Sequence, residues 1–330
     1  MKKFFALVLA LTMVFCLFAG NASAATPETI KVRINCTNGA NTSAGRGYAL
    51  LGEKLEELSG GVFSCQVYYD GTYCSGTEAL TEMAKGDLEI GGSGATYVVE
   101  YLPQYGFLQM AYLYSSVDHA DKVLNGEIGA KIFQEVADTV AVLPLSGFLA
   151  GNRNVMLVAD KKVETPADLS GVKMRTNGTE SMMDMMSAMG ANPVGVALGE
   201  TYSALQTGVV DGQENPVVSS MDRHFHEVCK SLTYTEHYID FTWFACSYNW
   251  YNSLTPELQQ VVREAAVIAA QSITDEVMAQ EAEAEGKLVE AGLSVYHIDK
   301  EPFMKAAEEY YSKYYDSWDM DTLNAIMALK

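Results

Sequence analysis

The sequence has few positive charges for its length. Its 330 residues include 22 lysines and arginines against 42 aspartates and glutamates, which gives a formal net charge of −20. Binding to nucleic acid requires many basic side chains to neutralise phosphates, so this class of function is excluded. A field of this sign also repels small anions. A site for an anion would therefore need enclosed cations of its own, which makes arginines in apolar surroundings the residues of interest.

The sequence also lacks cysteine pairs at metal-binding or redox spacing. Five cysteines follow residue 24, namely Cys36, Cys65, Cys74, Cys229 and Cys246, and none forms a Cys-x-x-Cys motif. Neither a zinc site nor a redox pair is indicated. An odd number in an exported protein leaves at least one cysteine unpaired. We interpret them as small buried hydrophobic residues, with room for one disulfide.

Catalytic and metal-binding patterns are scarce as well. No serine or cysteine lies in a nucleophile elbow. Asp211 and Glu214 could form a carboxylate pair, and His224-x-His226 could bind a metal. On a helix, however, side chains at i and i+2 diverge, and no third ligand has a fitting spacing. The sequence therefore predicts no catalytic residues, no metal and no cofactor.

Long apolar runs are confined to the N-terminus. Lys2 and Lys3 precede an apolar segment over residues 4–18, and residues 22–24 read Ala-Ser-Ala, a small-residue cleavage signal. Residues 1–24 are thus predicted to be a signal peptide cleaved after Ala24. Phe15 is too large for a lipidation site at Cys16. No later stretch is long and apolar enough to cross a bilayer, so free export to the periplasm is expected.

The remaining chain alternates strand and helix patterns. Residues 30–35 and 63–69 read as strands, each followed by a helix pattern, and residues 88–90 form a third strand that enters Gly92-Ser93-Gly94. Strict alternation predicts an α/β fold with a mostly parallel sheet. The chain is longer than a single hydrophobic core usually supports, which favours two lobes. Asn35, Thr37 and Gly94 then lie at the carboxyl ends of strands, where open sheets bind ligands.

The stretch over residues 199–216 organises the second half of the chain. Tyr202 and Leu205 have helical spacing, Gly208 is a helix stop, and Val209 starts a short strand that Pro216 ends. The strand closes with a polar cluster, Asp211, Gln213, Glu214 and Asn215. Polar groups at the carboxyl end of a strand indicate a binding site.

The longest helix is predicted from Thr255, an N-cap, to Gly292, with Pro256 at the first helical position. A helix of about 35 residues is roughly 50 Å long. Such a helix is too long for one lobe, so it is expected to lie across both.

Residues 165–175, 188–194 and 199–216 carry a family resemblance. Their sequences, TPADLSGVKMR, AMGANPV and GETYSALQTGVVDGQENP, resemble the motifs of the extracytoplasmic solute-binding subunits of TRAP (tripartite ATP-independent periplasmic) transporters. The resemblance implies a two-lobed periplasmic binding protein fold. Lobe I would comprise residues 25–150 and 241–280, and lobe II residues 151–240 and 281–330.

The resemblance also assigns site residues. It implies that Arg175 pairs with the carboxylate of a substrate, with help from Arg153 and Asn215. An open cleft would keep Arg175 hydrated. Leu198 stands where relatives often place an aromatic ring over the ligand, so a stacking surface has become aliphatic. The remaining candidates for the ligand wall are Tyr97, Gly94, Asn35, Thr37 and Tyr202.

The function implied is capture of a small organic acid between two lobes. The acid would then pass to the TRAP membrane subunits at the inner membrane through a transient contact. The alternative is a sensory module that presents the same kind of ligand to a receptor. The sequence does not separate these two, whereas an enzyme is not expected.

Overall fold

The computed structural model describes residues 29–330, which form one mixed sheet covered by helices. The predicted signal peptide, residues 1–24, with its cleavage point after Ala24, lies outside the described residues. Among residues 29–330, no helix has the combined length and apolar character that a bilayer span requires.

Nine strands of the described chain form the sheet. They are β1 (Ile30–Asn35), β2 (Phe63–Tyr68), β3 (Ile90–Gly94), β4 (Val142–Leu157), β5 (Lys173–Thr176), β6 (Asn192–Gly195), β7 (Gly212–Pro216), β8 (Ser231–Ser247) and β9 (Ser294–His297).

The α-helices of the same residues are α1 (Ser43–Leu58), α2 (Gly76–Lys85), α3 (Ala95–Tyr101), α4 (Val117–Leu124), α5 (Glu127–Val140), α6 (Glu180–Ala188), α7 (Thr201–Gln206), α8 (Val217–Asp222), α9 (Tyr248–Ser253), α10 (Pro256–Glu290), α11 (Glu301–Tyr311) and α12 (Met320–Met327).

The sheet passes through both lobes in the order β2-β1-β3-β8-β4-β7-β5-β6, and β9 also pairs with β8. Parallel pairs lie at its two ends, as predicted: β1 with β2 and β3, and β5 with β6 and β7. The middle is antiparallel, because β4 and β8 cross between the lobes in opposite directions. The predicted two-lobed α/β fold is therefore present, with an antiparallel centre that the strand–helix alternation did not indicate.

The two crossing strands are the longest strands of the described chain. β4 has 16 residues and β8 has 17, and Gly151 pairs with Asp240 near their midpoints. Register shifts occur on both sides of this point, between Leu149 and Gly151 and between Arg153 and Val155. The glycine at 151 has φ +132°, so the chain bulges there instead of ending a strand. The strands at this point connect the lobes.

The predicted long helix is confirmed as α10, which has 35 residues. Thr255 caps it by accepting a hydrogen bond from the backbone N–H of Leu258. The helix packs against α1 of the first lobe and against α8 and β9 of the second. Alanines on its buried face let the sheet approach closely: Ala265, Ala266, Ala269 and Ala270.

The C-terminus departs from the predicted lobe boundaries. Strand β9 pairs with β8, as expected for the second lobe. The last helix, α12, instead packs on α5 of the first lobe. The carbonyl of Ile326 lies 2.9 Å from Nε2 of the buried His119. The assignment of all residues 281–330 to lobe II is corrected here, because α12 buries its apolar residues Leu323 and Ile326 against the first lobe.

Candidate functional site

A cavity of about 700 Å³ lies between the two lobes. Its first-lobe wall comes from the carboxyl ends of β1 and β3 and the segments that follow them, including Asn35, Thr37, Asn38, Gly94, Thr96, Tyr97 and Gln109. Its second-lobe wall includes Arg153, Leu198, Asn215, Ser219, Asp222 and Arg223. The volume suits a small molecule.

The fold brings most of the predicted site residues to this cavity, namely Asn35, Thr37, Gly94, Tyr97, Arg153, Leu198 and Asn215. Gly94 belongs to β3 rather than to a loop, since residues 90–94 pair with β8. Leu198 has no aromatic substitute from Tyr202. That side chain does not line the cavity, and its hydroxyl lies 3.2 Å from Glu227 Oε2, where it donates a hydrogen bond. The expectation that Tyr202 contributes to the ligand wall is corrected accordingly.

Arg175 is a buried arginine that forms no salt bridge within the described residues. It lies on β5, beside Val194 and Gln213, and its side chain is almost fully buried rather than hydrated as expected. Its Nε donates to the carbonyl of Val196 at 2.9 Å, while Nη2 is buried without a hydrogen-bond partner. Within residues 29–330 this arginine forms no salt bridge.

The surroundings of this guanidinium disfavour its charged form. Burial lowers the pKa of Arg175 to about 10, with Glu214 opposing the change and the positive charges of Arg153 and Arg223 adding to it. Arg175 does not contribute to the cavity surface itself. Its charge nevertheless interacts with two arginines that line the cavity, so an anion placed there would relieve their mutual repulsion.

Arg153 differs from Arg175 because its charge is already neutralised. Its Nε and Nη2 lie 2.6 and 2.8 Å from the carboxylate oxygens of Glu214, and its Nη1 lies 2.7 Å from Asp240 Oδ2. Burial alone would raise the pKa of Glu214, but the charges and hydrogen bonds of Arg153 and His237 outweigh it and hold this pKa at about 2. Arg153 is therefore committed to internal ion pairs.

A chain of side-chain amides fixes Asn215 at the cavity wall. Arg153 Nη2 donates to Asn215 Oδ1 at 3.1 Å, and Asn215 Nδ2 donates to Gln213 Oε1 at 2.6 Å. Gln213 in turn donates to Ser220 Oγ at 3.1 Å. These bonds determine the orientation of the amide, so Arg153 positions Asn215.

Two features of the site were missed from the sequence. Arg223, directly after α8, lines the cavity and forms no salt bridge within the described chain. Its position seven residues after Pro216 could have identified it, since α8 continues directly from the polar strand β7. The second feature is Asp240. The sequence indicates only that it lies at a lobe boundary, whereas the structure shows that it forms an ion pair with Arg153.

The first lobe offers an unpartnered acceptor. Asn35 is buried, its Nδ2 donates to the carbonyl of Cys74 at 3.2 Å, and its Oδ1 has no hydrogen-bond partner. Hydroxyl and amide side chains also line the first-lobe wall of the cavity. The arrangement suits a ligand with an anionic group on the side of the second lobe and hydrogen-bond donors on the side of the first.

The five cysteines of the described chain are all unpaired. Burial raises the pKa of Cys36 to about 11 and those of Cys65 and Cys229 to about 12. None lines the cavity. Cys36, Cys229 and Cys246 are buried, as expected from the sequence, whereas Cys65 and Cys74 are partly exposed and no disulfide forms among the described residues.

Comparison with known proteins identifies the family. Residues 34–317 match the model of the bacterial extracellular solute-binding proteins, family 7. The chain is similar to the solute-binding protein RD1_1052 of Roseobacter denitrificans, with 28% identity over 93% of this chain and 94% of the relative.

Solved structures agree with this match. A TRAP periplasmic solute-binding protein from Roseobacter denitrificans with bound 3-deoxy-D-manno-oct-2-ulosonic acid has a TM-score of 0.85 and 31% identity, covering 92% of this chain and 100% of that one. Another from Pseudomonas putida F1, with bound D-glucuronate, has a TM-score of 0.83 and 28% identity over 91% and 97%. The chain therefore belongs to the bacterial extracellular solute-binding proteins of family 7, the solute-binding subunits of TRAP transporters.

Proposed function

We propose that this protein captures a hydroxylated organic acid between its lobes and delivers it to the membrane subunits of a TRAP transporter. The observation that carries the proposal is the buried guanidinium of Arg175, which forms no salt bridge within the described residues and leaves Nη2 without a hydrogen-bond partner. Burying a charge without a partner costs several kcal/mol in general, and such a cost is sustained where a ligand supplies the counter-charge.

The anionic group of the ligand is assigned to the second lobe. Arg175 has an unpartnered Nη2, and Arg223 has no salt bridge, whereas Arg153 is already paired with two carboxylates. A carboxylate accepts two parallel hydrogen bonds from one guanidinium. In this protein Arg175 and Arg223 provide the attraction, and Arg153 holds Asn215 in place for a further hydrogen bond.

The rest of the ligand is expected to carry hydroxyl groups. Asn35 Oδ1 has no hydrogen-bond donor, and the same cavity is lined by hydroxyl and amide side chains such as Thr37 and Gln109. Relatives at 25% identity or more were solved with acids of this type, including 3-deoxy-D-manno-oct-2-ulosonic acid, L-galactonate and D-glucuronate. Because Leu198 presents an aliphatic surface, a sugar acid bound by hydrogen bonds suits this cavity better than one held by ring stacking.

Binding is coupled to closure in this proposal. The cavity is formed by both lobes, so a ligand that touches both stabilises the closed arrangement more than the open one. The bulged crossing strands at Gly151 and Asp240 are the natural place for the lobes to rotate. The membrane subunits would recognise the closed form, and no chemical step is assigned to the protein.

Export is part of the same proposal. The N-terminal pattern supports cleavage after Ala24 and release into the periplasm without a lipid. Sequencing of the exported protein should give Ala25 as the first residue. Recovery of protein lipidated at Cys16 would contradict this assignment.

The ligand class is tested by matched acids and neutral sugars. Thermal unfolding of the purified protein should be recorded with glucuronate against glucose and with galactonate against galactitol. An acid at one hundred times its dissociation constant should stabilise the fold by about 2.7 kcal/mol, whereas its neutral counterpart should not. Equal stabilisation by both members of a pair, or by neutral sugars alone, would refute a carboxylate site.

A further inference from the structure

The turn after α8 brings two histidines and a glutamate together. His224 has a left-handed backbone with φ 60° and ψ 19°, and residues 225–227 form a single 3₁₀ turn closed by a hydrogen bond from Glu227 N to His224 O at 3.0 Å. Side chains at i and i+2 diverge only on a regular helix. The left-handed residue breaks that helix, and in a 3₁₀ turn side chains at i and i+3 eclipse each other.

The three side chains converge closely. The potential ligand atoms of His224, His226 and Glu227 all lie within 4.8 Å of one another, and His224 Nδ1 is 3.1 Å from Glu227 Oε1. Among residues 29–330 this is the only such group of three or more histidine, cysteine, aspartate or glutamate side chains. Phe225, which is 1% exposed, anchors the turn in the core of the second lobe.

His226 has an unexplained polar atom. Its Nδ1 is buried and has no hydrogen-bond partner. By contrast, His119 and His237 have hydrogen-bond partners at both ring nitrogens. An unsatisfied buried polar atom in a native protein is uncommon and needs a reason. A ligand bound to this imidazole would supply one.

Tyr202 orients the carboxylate of the group. Its hydroxyl donates to Glu227 Oε2 at 3.2 Å, which leaves Oε1 on the side of His224. Hydrogen bonds of this kind to a ligating carboxylate are typical of metal sites, where they fix the ligand and tune affinity. The tyrosine that is absent from the cavity thus has a position that supports Glu227.

We propose that His224, His226 and Glu227 bind one transition-metal ion of the Zn²⁺ class. Imidazole and carboxylate ligands suit Zn²⁺, whereas Mg²⁺ and Ca²⁺ prefer oxygen ligands alone. Coordination at roughly 2.0–2.2 Å requires the ligand atoms to move closer together. The side chains of His224 and Glu227 are 66% and 51% exposed, so they are free to make this adjustment.

The ion would lie at the rim of the cleft. Asp222 and Arg223, which line the cavity, immediately precede His224. Asp222 interacts electrostatically with Arg223 and with His224. The strongly acidic protein also attracts cations to its surface. The site is separate from the carboxylate-binding residues, and it does not depend on the proposed function.

The experiment titrates Zn²⁺ into the metal-stripped mature protein by calorimetry, with the bound metal counted after dialysis. One ion per protein is expected. His226→Ala should weaken binding at least tenfold, and Tyr202→Phe by up to roughly tenfold. The matched control is His297→Ala, because His297 Nε2 forms an exposed pair with Glu285 at 3.0 Å but has no third ligand. This variant should bind Zn²⁺ like the wild type.

Unchanged Zn²⁺ affinity in His226→Ala would overturn the proposal, as would an equal loss in His297→Ala or binding that never saturates. Because His226 is partly buried, circular dichroism of each metal-free variant should show an intact fold. If His226→Ala is unfolded, His224→Ala decides instead, since that side chain is exposed and outside the core.

Discussion

Replacing Arg175 by methionine should raise the free energy of unfolding of the ligand-free protein and lower its affinity for acids. The distance of the Arg175 pKa, about 10, from the ordinary arginine value corresponds to roughly 3 kcal/mol of unfavourable charging. Allowing for water in the empty cavity, we expect Arg175→Met to raise the free energy of unfolding of ligand-free protein by roughly 1–3 kcal/mol. Methionine fills the space of the unbranched stem without a charge.

Ligand binding should change in the opposite direction. Loss of one partner of a buried charge pair costs roughly 2–5 kcal/mol of affinity. Arg175→Lys should also weaken binding, because lysine keeps the charge but cannot form two parallel hydrogen bonds with a carboxylate. Urea denaturation of the empty variants and calorimetric titration with the acid found in the ligand screen measure the two effects.

The matched control is Arg153→Met. This arginine neutralises Glu214, whose side chain is fully buried, and Asp240. Its removal leaves two carboxylates without their cation and should lower the free energy of unfolding by about 3–5 kcal/mol. These two arginines should therefore give stability changes of opposite sign. Destabilisation by Arg175→Met similar to that of Arg153→Met, with unaltered ligand affinity, would show that Arg175 is a structural residue.

Three further predictions concern the cavity, the buried ion pair and the crossing point. Asn35→Ala should reduce the affinity for a hydroxylated acid about tenfold, by loss of one hydrogen bond, and leave that for an acid without hydroxyls nearly unchanged; calorimetry with both acids tests this. Glu214 has a folded pKa of about 2, below the unfolded value of about 4.3, so roughly 3 kcal/mol of stability should be present above pH 4.3 and lost as the pH falls towards 2. Urea denaturation at several pH values should show a shallower acid loss in Glu214→Gln, and equal slopes would contradict the assignment. Gly151→Ala should lower the free energy of unfolding by roughly 1–3 kcal/mol, because φ is +132° and the added Cβ would lie 2.6 Å from Pro216 Cβ. Gly199→Ala, which meets nothing within 4 Å, is its control, and equal stability of the two variants would refute the steric argument.

The sequence alone determined the elements that depend on local chemistry. Thr255 and Pro256 defined the start of α10, and the absence of a stop before Gly292 defined its length. Pro216 ended β7 as predicted, although the strand begins at Gly212 rather than Val209, which remains 54% exposed after the turn at Gly208. The family motifs around Arg175 and Asn215 also depend only on residue order.

The centre of the sheet required the tertiary structure. β4 and β8 pair through residues about ninety positions apart, from Gly151 to Asp240, and the bulges that bend them leave no local sequence signal beyond one glycine. The placement of α12 on the first lobe likewise required the tertiary structure. Its apolar face predicts burial, but which surface covers it depends on where the chain returns.

Tertiary contacts also decide which arginine forms internal salt bridges and which remains available to a ligand. From the sequence, Arg175 and Arg153 are both expected at the carboxylate of a ligand, with Arg153 in a helping role. Only the fold places Glu214 and Asp240 in salt bridges with Arg153 and leaves Arg175 buried without a salt bridge among the described residues. His224 likewise needed a backbone conformation that no spacing rule predicts before it could meet His226 and Glu227. Residue type fixes what a side chain is able to bind, whereas the partners that remain available to it are set by long-range packing.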